Sequence, residues 1–482
     1  MFSLKRFLKD SIIYGIAAVL PRVINFLMVR VHTDALPAET YAENTDFYIW
    51  AALFSIVLTL GFETTFFRYY KEKELRNDLV GTSMFTLIGW VGLFIIGFVL
   101  FFPWIQNNLG FGAHPLRLKV FIGIMALDTL ALVPFAYLRA SGRPVKYTTI
   151  KLINVGIIVL IQLIALRWIP QAMEHGKHLP EVITHTFTSL PKVDYIFVSN
   201  LLSSAVSLLL VLPFLFRFKW QWNTALWRKM LRYSYPIVIA GLAYAINENL
   251  DKWLIGSLID KETEGLYAAA YKLAIFMNLY IMAFRLGAEP LFFNISNDKN
   301  APKNYARIMT YFVMVGSLAL VGIALFMDIF KHFVNPTYWE ALAIVPVVLL
   351  ANLFLGMYHN LSIWYKLIDK TKFGMYFSIV GAVLTIAVNV IFLPKYGYMV
   401  AAYATLIAYG TMMTLSYLVG KTRYPIPYDL KQIALFIVVS VSISYVAFYK
   451  VKPNLYTSGL IFLLYMIFIG FYGYRLWQKE KS

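Results

Sequence analysis

Apolar residues along this chain gather into runs of about twenty, broken by short polar stretches. A helix of that length rises about 30 Å, the thickness of a bilayer's hydrocarbon core. The pattern predicts fourteen membrane spans, near 11–31, 46–67, 81–103, 118–138, 148–167, 195–216, 235–258, 266–293, 306–329, 341–362, 373–393, 398–419, 431–449 and 457–475. The connections are short, the longest being about 168–194, and none has room for a soluble domain. The first run carries Arg22, Asn25 and Arg30, and no small-residue cleavage site follows it. It reads as a retained helix and not as a signal peptide.

Composition agrees with the pattern. Of 482 residues 60% are hydrophobic and 14% charged, where water-soluble domains carry about 25% charged residues. This is the balance of an integral membrane protein. Cysteine is absent, which excludes a disulfide framework, a thiolate nucleophile and a Cys-based zinc site.

The net charge of +18 changes meaning once it is placed on the topology. With the N-terminus inside, most Lys and Arg fall on cytoplasmic segments, among them Lys5, Arg6, Lys9, Arg68, Lys71, Lys73 and Arg76. The first outer loop has none. That is the positive-inside pattern, so the excess charge reads as topology and contact with anionic lipid headgroups. Nucleic acid is not the expected partner. The expected location is a cytoplasmic (inner) membrane, with both termini cytoplasmic.

Shifted by 226 positions, residues 12–73 align with 238–299 without a gap. Gly15 meets Gly241, Asp34 meets Asp260, and Tyr41-Ala42 meets Tyr267-Ala268. Leu60, Gly61, Glu63, Phe66 and Phe67 meet Leu286, Gly287, Glu289, Phe292 and Phe293. Spans one and two are thus repeated as spans seven and eight. Six spans separate the copies, an even number, so both halves enter the membrane the same way round. The predicted fold is an all-α polytopic membrane protein: two six-helix lobes related by a parallel pseudo-two-fold repeat, plus a C-terminal helix pair. The expected boundaries are 1–217 for the first lobe, 218–234 for an amphipathic interfacial linker rich in Trp, Arg and Lys, 235–420 for the second lobe, and 421–482 for spans thirteen and fourteen. Repeat-built lobes are a transporter architecture.

A charge at mid-bilayer costs about 2.5–3.5 kcal/mol and generally faces a cavity or a partner. Such charges concentrate in spans one, two, seven and eight. Arg22 lies about 16 Å into span one by helical rise, with Asn25 one turn away and Arg30 near the outer end. Glu248, Asp251 and Lys252 share a face of span seven, as a site or as a self-neutralising group. In span eight Arg285 and Glu289 are i, i+4 neighbours. Lys272 sits about 220° around an unkinked helix from Arg285 and is expected to snorkel outward. Glu63 and Glu289 fall near the cytoplasmic ends of their spans, where each reads as a packing corner or as a gate pairing with Arg22, Arg285 or Arg68. Elsewhere the signal is thin. Asp128 stands alone in span four, Asn352 and Asn389 are single amides, and His175, His178 and His185 share one outer loop. No Gly-Lys phosphate loop, nucleophile elbow or paired catalytic carboxylate is present in the sequence, so no enzyme activity, metal or organic cofactor is expected.

The segments LGFETTFFRYYKEK (60–73), LWRKMLRYSYPIVIAGLAYAINENLDKWLIGSLI (226–259) and EGLYAAAYKLA (264–274) resemble the oligosaccharide-lipid flippases of the multidrug/oligosaccharidyl-lipid/polysaccharide exporter superfamily. The resemblance implies that spans one, two, seven and eight line a V-shaped cavity worked by alternating access. It implies a polyprenyl-pyrophosphate-linked glycan as substrate, with membrane lipids as the other partner and a monomeric transport unit. By position, Arg22 and Arg285 match the basic residues that engage the pyrophosphate in such flippases, and Asn25, Arg30 and Lys272 accompany them. Some relatives bind sodium between spans seven, eleven and twelve through acidic residues. Spans eleven and twelve here hold no carboxylate, only Asn389, so a Na+ or H+ coupling ion is left open.

Three other readings stand beside this one. A cation-coupled drug exporter of the same superfamily calls for an acidic cavity and twelve spans. A membrane polysaccharide polymerase or ligase calls for a large outer loop bearing catalytic Arg or His. A lipid II flippase differs only in the sugar carried.

Overall fold

The computed structural model describes residues 4–481 other than 109–113, 177–179, 182–183, 185–187, 297 and 369. Side chains are described from residue 19 onward, except those of 108, 286, 289, 290, 293, 294, 477 and 479–481. The main helices are α1 (Leu4–Ala35), α2 (Ala38–Thr59, then Phe62–Tyr69), α3 (Lys73–Leu100), α4 (Pro115–Ala140), α5 (Pro144–Glu174), α6 (Lys192–Leu215) and α7 (Thr224–Leu258). They continue with α8 (Lys261–Tyr271, then Ile275–Asn294), α9 (Ala301–Leu325), α10 (Pro336–Leu367), α11 (Lys372–Tyr396), α12 (Met399–Arg423), α13 (Leu430–Val451) and α14 (Leu455–Lys481).

Among the described residues, twelve helices are long and apolar enough to cross a membrane, against the fourteen expected. The two expected spans outside that set are α1 and α7, which form as continuous helices of 32 and 35 residues. Asn247, Glu248, Asn249, Asp251 and Lys252 dilute the apolar run of α7.

The chain divides into two compact units, Met1–Ala245 and Ile246–Ser482, and the division falls inside α7. In the N-terminal unit α6 packs on α4 and α5, and α1 packs on α5. Phe62, Phe66, Leu79, Tyr137 and Met230 form a buried cluster there. In the C-terminal unit α12 packs on α10 and α11, around Leu355, Trp364, Tyr409 and Met412. The hairpin α13–α14 packs against α9. Large apolar side chains on α3, α11, α13 and α14, such as Leu93, Ile391, Val438 and Ile467, stay on the surface. Lipid is the solvent in which such a surface costs nothing.

The segment 218–234, expected as a linker, is helical only in its second part. Residues 219–223 are non-helical, and from Thr224 the chain is already part of α7. The non-helical stretch is moored to the start of α3. Asn223 donates its backbone N–H to Thr82 Oγ1 at 3.0 Å and its amide to Asp78 at 2.7 Å, and Lys219 N–H donates to Asn77. The crossing depends on Gly81, because a Cβ there would sit 2.2 Å from Gln221 N and 2.4 Å from its O.

Candidate functional site

Two helices that carry the predicted charges are interrupted where those charges lie. In α2 the break is Leu60-Gly61, both left-handed at φ 52° and 63°. Leucine is strained there, at a cost of about 1–2 kcal/mol. The break lets Phe62–Tyr69 start a new direction, and Glu63 Oε1 accepts from Arg139 Nη1 of α4. The Arg139 guanidinium also lies 4.9 Å from the Phe67 ring and 5.8 Å from the Tyr147 ring. Glu63 therefore pairs within its own unit, with a residue that sequence reading counted only as part of the charge asymmetry. Arg68, one of the partners considered for it, instead lies over the Tyr233 ring at 4.4 Å.

In α8 the interruption is a 3-10 turn, Lys272–Ala274. Three residues at 120° in place of 100° add about 60° of rotation. The angle between Lys272 and Arg285 changes from about 220° to about 280°, which leaves them about 80° apart. Lys272 is exposed and lies in Coulombic range of Glu248 and Lys252 of α7.

The α7 charges form a tightly partnered group. Lys252 Nζ contacts Asp251 Oδ1 at 3.0 Å, donates to the Glu248 carbonyl at 2.6 Å, and lies 3.7 Å from the Tyr271 ring centroid. Tyr267 donates its hydroxyl to Asp251 Oδ2 at 2.9 Å. Asp251 is fully buried and Lys252 nearly so. An unpaired buried charge would cost several kcal/mol, and here both ions are paired and hydrogen-bonded. Glu248 points elsewhere, its carboxylate accepting from Tyr409 of α12 at 2.7 Å. One residue earlier, Asn247 accepts from Thr385 of α11 at 3.0 Å and donates to the Ser378 carbonyl. Asn389 donates to Thr385 O, while its own Oδ1, like both amide atoms of buried Asn352, has no hydrogen-bond partner among the described residues. The α7–α11 contact is thus built from neutral amides and hydroxyls.

The basic residues of α1 and α8 are accessible. Arg22 and Asn25 are exposed on α1, and Arg285 is exposed on α8. Arg30 is ion-paired with Asp34 one turn on, at 2.9 Å. Around Arg285 the structure gathers residues that sequence reading missed. His359 and Tyr365 of α10 lie in its Coulombic range, and Lys366 lies in that of His359. The Glu289 side chain, with His178 and His185, lies outside the described residues. Asp128 is not isolated as the sequence suggested: Ser204 of α6 hydrogen-bonds it, and Lys151 of α5 lies in its Coulombic range. Nothing in the sequence linked those three positions, because they meet only through the packing of α4, α5 and α6. Among the described residues, no group of three or more His, Cys, Asp or Glu could hold a metal ion.

Among the described residues the chain is all-helical and divides into two units. Solved structures share this fold. The chain is similar to a lipid II flippase (MurJ, inward closed conformation), with a TM-score of 0.74 at 16% identity over 97% of this chain and 99% of that one. It is also similar to a multidrug resistance transporter of the MATE family in an inward-facing conformation, with a TM-score of 0.66 at 12% identity over 88% and 98%. These likenesses show the fold. The family model described as polysaccharide biosynthesis protein matches residues 7–296, and the chain belongs to that family. An uncharacterized membrane protein of Methanocaldococcus jannaschii is 26% identical over 182 residues, 37% of this chain. That match spans 42% of the relative's length.

Proposed function

We propose that this protein is a flippase that moves a polyprenyl-pyrophosphate-linked oligosaccharide from the inner to the outer leaflet of the cytoplasmic membrane. The reading places both termini in the cytoplasm. It works by alternating access and serves cell-surface polysaccharide synthesis. One observation carries the reading: Arg22 of α1 and Arg285 of α8 keep accessible side chains, while the carboxylates of Asp251 and Glu63 are engaged by Lys252 and Arg139. Exposed guanidinium groups on these helices suit an anionic substrate and argue against a cation-exporting drug transporter. Guanidinium groups bind pyrophosphate oxygens bidentately and stay charged in low dielectric. The glycan follows in a wet path while the prenyl chain stays in lipid. A potential negative inside favours outward movement of the anion by about 2.3 kcal/mol per charge per 100 mV.

The test is a flipping assay in proteoliposomes loaded with a fluorescent polyprenyl-pyrophosphate sugar. Wild-type protein exposes the label to an outside quencher, and Arg22→Ala and Arg285→Ala do not. Full activity in both variants would refute the pyrophosphate role. A lipid II flippase reading keeps the same residue roles, and competition between the two glycans separates them.

A further inference from the structure

The hairpin α13–α14 lies outside the duplicated part of the sequence and has no role in the transport reading. Its outer end does enclose something. A cavity of about 500 Å3 opens between the end of α9, the start of α10 and the turn joining α13 to α14. Its size is in the range of small-ligand sites. In the positive-inside topology it lies at the outer headgroup level, and Trp339 and Tyr449 in its wall are the aromatic types enriched at that depth.

Four charges line this cavity, two of each sign: Asp328, Lys331, Glu340 and Lys452. Two of them satisfy one another. Lys331 Nζ contacts Asp328 at 2.6 Å and sits 4.6 Å from the Trp339 ring. Trp339 in turn is fixed by its indole N–H, which reaches the carbonyls of Lys331 and Val334 at 3.0 and 3.2 Å. The other two charges are left over. Neither the Glu340 carboxylate nor the Lys452 ammonium has a hydrogen-bond or ion-pair partner among the described residues, and they stand on different walls, one on α10 and one on the α13–α14 turn. Lys452 is held at its place by a left-handed backbone, φ 48°. The rest of the lining is apolar, with Leu325, Leu342, Ala343 and Phe448.

A cavity with zero net charge, one unsatisfied cation, one unsatisfied anion and an apolar floor matches a ligand with the same parts in reverse. We infer that this cavity binds the headgroup of a zwitterionic phospholipid of the phosphoethanolamine type, with phosphate on Lys452, ammonium on Glu340, and glycerol carbons against the apolar wall. An anionic lipid would satisfy Lys452 but leave Glu340 facing a second negative charge, and specificity follows from that repulsion.

Native mass spectrometry of the detergent-solubilised full chain tests this, with phosphatidylethanolamine and phosphatidylglycerol of identical acyl chains as probes. The wild type is expected to retain phosphatidylethanolamine about tenfold better. Glu340→Gln brings the ratio to about one, Glu340→Asp preserves it, and Lys452→Ala lowers retention of both lipids. Soluble phosphoethanolamine does not displace the lipid at equal concentration, because it lacks the apolar part. Equal retention of the two lipids by the wild type, an unchanged ratio in Glu340→Gln, or ready displacement by soluble phosphoethanolamine would each overturn the inference. Both residues are exposed, and Glu340→Asp separates loss of charge from loss of fold. Flipping activity plays no part in the readout.

Discussion

Tyr267 of α8 donates its hydroxyl to Asp251 of α7 at 2.9 Å, so the carboxylate buried beside Lys252 has a partner on each oxygen. Tyr271, one turn along α8, covers the ammonium of the same pair. Two tyrosines on one helix face thus complete the environment of an ion pair on the next helix.

Removing one member of that pair should be costly. Lys252→Met leaves Asp251 as a lone buried charge, at about 3–5 kcal/mol, and thermal unfolding in detergent should fall by about 6–12 °C. The double variant Lys252→Met with Asp251→Asn should recover most of the loss, because the uncompensated charge is gone. Equal unfolding temperatures for the single and double variants would show that the pair is not what holds this region.

The Glu63–Arg139 pair is half exposed on both sides, so its contribution to stability should be about 0–1 kcal/mol. Glu63→Gln should unfold near the wild-type temperature while slowing transport. Exchanging the charges, Glu63→Arg with Arg139→Glu, should restore the transport rate if the pair itself matters. Continued failure of the exchanged protein would assign the effect to Arg139 packing on Phe67.

Gly81→Ala places a methyl group against the backbone of Gln221, which cannot move aside without breaking the Asn223–Thr82 and Asn223–Asp78 bonds. Overpacking of this kind costs about 1–3 kcal/mol or more. Unfolding measurements should show the loss, while alanine at Gly89, where a Cβ meets open space, should be neutral or slightly stabilising.

Arg22→Lys and Arg285→Lys should retain partial transport, below wild type and above the alanine variants. Lysine keeps the charge but not the two-pronged geometry. Initial flipping rates under a potassium-diffusion potential would measure this. The same assay, run with the potential clamped at zero, should show slower outward movement if voltage drives the anion.

The approximate position of nearly every helix was legible in the sequence, since a run of about twenty apolar residues has few other uses. The charged positions were legible too, because an ionisable residue in such a run is conspicuous. Their partners were not. Arg139 looked like one of many inner cations, His359 and Tyr409 carried no pattern, and Asp128 looked solitary until α5 and α6 brought Lys151 and Ser204 to it. Periodicity describes one helix at a time, and these contacts lie between helices.

By itself the sequence determined the membrane setting, the approximate spans and the recurrence of one motif 226 positions along the chain, all properties of local composition or of alignment along the chain. Only the tertiary structure decided how the duplicated motif behaves. Leu60-Gly61 breaks α2 into two directions, whereas Leu286-Gly287 runs through an unbroken stretch of α8 whose interruption comes earlier, at Lys272. The same residues adopt different backbones because helix propensities differ by at most about 1 kcal/mol per residue. The packing of the helices around each copy, which is not duplicated, outweighs a preference that small.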